Sequence, residues 1–72
     1  MKDLTALTAE ETIAELEAPK VGPGYTRRGL IVHLVVVGML KMPDWQAANR
    51  FLEELKKTGS NEDKMLLQVY FR

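Results

Sequence analysis

Apolar residues in this chain recur at helical spacing near the tryptophan, crowd together in the middle, and thin to a narrow stripe near the start. Trp45, Ala48, Leu52 and Leu55 follow one another at intervals of three and four, as one helical face requires, and Phe51 widens that face. Gln46, Asn49, Arg50, Glu53 and Lys57 make the polar side. Pro43 suits the first turn of this segment and Asp44 its positive end. Lys56 and Lys57 suit the negative end, and Gly59 stands where a left-handed residue closes many helices.

Upstream, Leu30–Leu40 is apolar on nearly every side except at His33, the pattern of a buried central helix. Gly38 weakens its end by up to about 1 kcal/mol relative to alanine. Thr26 is placed to cap this helix, with Tyr25 and Leu30 in the two positions of a hydrophobic staple. Thr8 and Glu11 have capping-box spacing and predict a helix over about 8–18, carrying Ala9, Ile13 and Leu16 as its stripe. Pro19 disfavours helix at Ala18. Residues 1–7 read as a frayed start. Pro19 to Tyr25 reads as an ordered loop, with prolines restricting φ and Gly22 and Gly24 supplying positive φ. Ser60 stands three residues before Asp63 and predicts a fourth helix. Its polar stripe is Lys64, Gln68 and Arg72; Met65, Leu66, Val69 and Tyr70 lie on the other side.

These elements predict one all-α domain over residues 1–72, a compact bundle of four short helices. The rival is an α+β fold with strands near 30–37 and 64–71. Leu30–Val37 is rich in β-branched residues, and Met65, Leu67, Val69 and Phe71 alternate with more polar neighbours. The Ser60 box and the short Met42-Pro43 junction favour helices.

Length sharpens the picture. A chain of 72 residues buries only about 60% of its unfolded surface, so its stability is marginal. It has no cysteine, which removes disulfides and thiolate zinc sites. Ten basic and ten acidic residues cancel, which disfavours broad capture of nucleic acid but leaves room for a local basic patch. The first twenty residues show no secretory signal. The apolar run, extended to Met42, reaches about thirteen residues, against about twenty for a membrane span. The expectation is a soluble cytoplasmic protein away from membranes.

Candidate chemistry is sparse. His33 is the single histidine; the simplest reading sets it at the core edge with its ring N–H on a carbonyl. Glu10-Glu11, Glu53-Glu54 and Glu62-Asp63 are sequence neighbours, so on a helix they point about 100° apart and do not converge as an acid–base pair. Glu11 and Glu15 share a face and read as solvated surface. No catalytic set, metal site, cofactor or small-molecule substrate is indicated. The most suggestive stretch is Gly22-Pro23-Gly24-Tyr25-Thr26-Arg27-Arg28. A glycine turn entering a helix offers free N–H groups to anions, and two arginines there suit phosphate or carboxylate. Both sit where the helix dipole disfavours positive charge. A helix-turn-helix reading instead uses Gln46, Asn49 and Arg50 on the third helix to reach base edges. Glu53 and Glu54 would meet phosphates badly.

In size, neutrality, lack of cysteine and lack of a catalytic set, the whole chain resembles the small proteins that lytic phages make against host machinery. Those that bind host RNA polymerase and inhibit initiation or alter termination are the nearest group. The helical terminase small subunits of phages are a second relation, and would go with the DNA-binding alternative. The resemblance implies a non-enzymatic regulator that occupies a surface of a larger protein assembly. Lys20, Tyr25, Arg27 and Arg28 are then the expected contacts with an acidic protein patch or nearby RNA phosphates. Replacing Arg27 and Arg28 together by glutamate is expected to abolish partner binding and leave helicity unchanged.

Overall fold

Among the described residues, three of the four α-helices begin where a hydroxyl takes over an unpaired backbone N–H. In the computed structural model, which describes residues 3–71, α1 spans Ala9–Glu17, α2 Arg27–Met39, α3 Trp45–Thr58 and α4 Asn61–Tyr70. Thr8 Oγ1 accepts from the Glu11 N–H at 3.1 Å while Glu11 Oε1 accepts from the Thr8 N–H at 3.0 Å. Ser60 and Asp63 make the same reciprocal box at 3.2 and 3.3 Å, and Thr26 accepts from the Gly29 N–H at 3.0 Å. Each such cap is worth about 1 kcal/mol. Among the described residues there is no strand. The stretch 30–37 lies within α2, and 64–70 lies within α4. The fold is all-α.

The nearly all-round apolar character of α2 makes it the centre. It packs against α1, α3 and α4, and α1 and α4 also pack on α3. Leu30, Ile31, Leu34, Val35 and Val37 of α2 meet Ala48, Leu52 and Leu55 of α3, with Leu16 of α1 and Leu67 of α4 closing the core. Burying each large aliphatic side chain stabilises the fold by about 1.5–3 kcal/mol relative to leaving it exposed. No helix among the described residues is long and apolar enough to cross a membrane.

Several expectations are corrected. The segment before Thr8 is ordered from Asp3 onward. Leu4–Ala6 forms a 3-10 turn capped by Asp3, and Leu4 and Leu7 pack against the core. This turn also serves His33, whose Nε2 lies 3.2 Å from the Leu7 carbonyl oxygen. A carbonyl only accepts, so Nε2 carries the proton in this bond. Of the two loop glycines, Gly24 has positive φ, at 89°. Gly59 is not left-handed; its φ is −73° and its ψ 172°. Glycine is needed there for space, because a Cβ would run into the Leu55 carbonyl oxygen.

The α2–α3 junction also departs from expectation. Pro43 precedes the helix rather than joining its first turn. The Met42 N–H donates to the Val37 carbonyl at 3.1 Å, and Lys41 takes φ 50°. That is a Schellman closure with lysine in the place usually given to glycine. The next turn closes through the Trp45 N–H and the Met42 carbonyl at 3.0 Å. Asp44, at φ 65°, begins α3 without a side-chain cap.

The buried face of α4 is shifted. Asp63 and Leu67 point inward, while Met65 and Val69 face out. Arg72 of the predicted polar stripe lies outside the described residues.

Candidate functional site

The expected recognition edge is partly built into the fold. Arg27 begins α2, yet its guanidinium reaches α4. Nε donates to Asp63 Oδ1 at 2.9 Å and Nη2 to Oδ2 at 2.8 Å. Nη1 also donates to the Leu16 carbonyl of α1 at 3.4 Å. One side chain thus ties three helices. This explains an arginine at the disfavoured end of a helix dipole: a nearly buried carboxylate, 4% exposed in its side chain, faces it. The guanidinium hydrogen bond holds the Asp63 carboxyl below its usual range, against the opposing effect of burial. The same bond raises Arg27.

Arg28 stays at the surface, where Nη2 donates to the Tyr70 hydroxyl at 3.2 Å. Lys20 is exposed in the preceding loop, and Tyr25 is half-buried against the core. The paired glutamate substitution at 27 and 28 would therefore break an internal tie as well as alter a surface. It does not isolate binding.

Of the three side chains of the DNA-binding alternative, Gln46 and Arg50 are exposed on α3. Asn49 is half-buried. Its amide lies over Gly38 of α2, so close that a Cβ there would overlap Asn49 Oδ1. The glycine in α2 thus has a packing reason, and the helix–helix approach it permits draws Asn49 inward.

The most distinctive surface lies elsewhere. Along α4 and the adjoining side of α2, large apolar side chains remain in solvent. Met39 is 71% exposed, Met65 66%, Val69 64% and Tyr70 40%. Two shallow depressions share Val69 and Tyr70. One, of about 450 Å³, runs beside α4 over Leu66 and is bordered by Arg28 and Glu62. The other, of about 390 Å³, lies where Val35, Gly38, Met39, Asn49 and Phe71 meet. Lys56 sits over the Phe71 ring at 5.5 Å. The surface is apolar in its middle with a few charges at its border, the composition found at macromolecular contact sites.

The sequence leaves the apolar segment Met65–Phe71 either to dock on the core or to offer its outer face to a partner; in the structure Leu67 docks, while Met65 and Val69 face out. A signal was present. Met65, Leu66, Leu67, Val69 and Tyr70 spread over roughly 200° at about 100° per residue, about twice the stripe a core-facing helix needs. The chain matches no family model, no curated protein and no solved structure.

Proposed function

We propose that this protein is a non-enzymatic regulator that works by binding a larger protein assembly through the α2–α4 face. The observation that carries the reading is the run of exposed Met39, Met65, Val69 and Tyr70 over two connected depressions. A helical groove of this kind takes the apolar side chains of a partner segment, while border charges set orientation. Arg28 supplies the cation at that border. The contact thus moves from the glycine turn to the helices beyond it, and of the expected residues Arg28 lies in it directly. Gln46, Asn49 and Arg50 carry no second reading, since the packing of Asn49 leaves two of them facing out together.

Bacterial RNA polymerase, the assembly that the resemblance implies, is the first partner to test. Binding of the purified enzyme is measured for wild type, Val69→Glu and Arg28→Glu. Val69→Glu is expected to weaken binding by at least about tenfold, as for a side chain central to an interface. Arg28→Glu is expected to cost less and to flatten the salt dependence. Wild-type affinity in Val69→Glu would reject the surface. No binding by wild type would reject polymerase as the assembly.

A further inference from the structure

We infer that the α2–α4 face pairs with a second copy of itself, in a two-fold dimer with the two α4 helices antiparallel. The inference rests on the reading of this face as a contact surface, and it names an occupant and a means of regulation. Three observations converge on it.

The first is charge. Arg28 and Glu62 border one depression yet do not pair; Arg27–Asp63 is the ion pair among the described residues. Glu62 lies in the first turn of α4. The Tyr70 hydroxyl holds Arg28 at the last turn, eight residues or about 12 Å further along the axis. Turning a second α4 antiparallel about its middle brings each Glu62 to the other copy's Arg28. Two ion pairs form by symmetry, as an isologous contact demands.

The second is shape. Met65 and Val69 stand out as a ridge one turn long, and the depression over Leu66 runs beside them on the same helix. A two-fold axis sets each ridge into the other copy's depression. The third is area. At 40–71% exposure, Met39, Met65, Val69 and Tyr70 leave on the order of 500 Å² outside, near the upper end for a single chain. Two such faces remove about 1,000 Å², which meets the lower bound for a specific interface.

A face closed on itself is closed to other partners. Self-pairing then sets how much monomer is free to bind the assembly, and dilution or a tighter partner releases it.

Sedimentation velocity over about a hundred-fold range of concentration around micromolar tests the dimer. A monomer–dimer equilibrium is expected. Val69→Glu, and independently Met65→Lys, should weaken it by at least about tenfold with circular dichroism unchanged. Arg28→Glu and Glu62→Arg alone should each weaken it by about fivefold, and the two together should restore it. A monomer at every concentration, or a dimer indifferent to residue 69, overturns the proposal. Failure of the double swap to restore pairing overturns the two-fold arrangement. Polymerase binding that depends on Val69 in a strictly monomeric protein would remove the dimer and leave the functional reading standing. A dimer whose Val69→Glu variant still binds polymerase normally would do the reverse.

Discussion

Arg27 and Asp63 form an unequal pair, and the inequality has measurable consequences. Asp63 is nearly sealed off, while the Arg27 side chain is 42% exposed. Removing the arginine leaves a carboxylate in a poor environment with the Ser60 N–H as its remaining donor. Neutralising the aspartate lets the guanidinium turn to water, and asparagine still accepts from Ser60. Arg27→Met is therefore expected to cost about 3 kcal/mol, at the low end for a broken buried pair because one partner is solvated. Asp63→Asn is expected to cost about 1–2 kcal/mol. Urea melts of both variants check the order. The pH dependence follows from the lowered Asp63 carboxyl. The unfolded chain takes up its proton first as pH falls, near the ordinary value of about 3.9. The stabilisation is whole above that pH and disappears as pH drops through the folded value. Thermal midpoints should decline below about pH 4, and less steeply in Asp63→Asn. Some acid slope should persist in that variant, because Thr5 and Thr8 hydrogen bonds also lower Asp3 and Glu11.

At the scale of elements, helix ends carry the informative strain. Lys41 closes α2 at φ 50°, a conformation costing a residue with a Cβ about 1–2 kcal/mol. Its ammonium lies 5.4 Å from the Trp45 ring, a contact worth about 0.5–1 kcal/mol at an exposed site. Lys41→Gly removes both and is expected to stabilise the protein by about 0.5–1 kcal/mol in chemical denaturation. Gly59→Ala should act oppositely. Its backbone angles suit alanine, but the Leu55 carbonyl in the way cannot move without opening the last turn of α3. A loss of about 1–2 kcal/mol is expected, and an unchanged melt would show that the turn gives way freely. The difference between legible and hidden features runs along the same line. Thr8–Glu11, Thr26–Gly29 and Ser60–Asp63 are contacts within three residues, so their spacing announced the helices. Arg27–Asp63 and His33–Leu7 join residues 36 and 26 apart. No local pattern could announce that Asp63 would face inward or that the N-terminal turn would be held. The apolar stripe of α3 was legible, as was the central place of α2. Of the candidate site, Arg28 was legible because it stands out locally. The face around it was legible in part: the apolar residues of α4 exceed one stripe, but which of them turn outward depends on how α4 rolls against α2.

For the whole molecule, the exposed face and the small core belong to one balance. A chain of 72 residues without cysteine rarely draws more than about 3–5 kcal/mol from a single core, and oligomerisation is a common supplement. Met39, Met65, Val69 and Tyr70 share one face, while Leu40 and Met42 are exposed at the α2–α3 junction; the shared face is the arrangement that association can use. If two copies share that face, unfolding must also separate them, and stability becomes a function of concentration. The thermal midpoint is then expected to rise by about 3–5 °C for each tenfold increase in protein, given the usual unfolding enthalpy per residue and two chains per cooperative unit. In Val69→Glu the midpoint should be lower at high concentration and should not move with dilution. At low concentration the two curves should meet, because an exposed valine contributes little to the monomer fold. Calorimetry on both proteins across that range separates the cases. A wild-type midpoint independent of concentration would mean that each chain holds its apolar face open alone, with its stability drawn entirely from the core around α2.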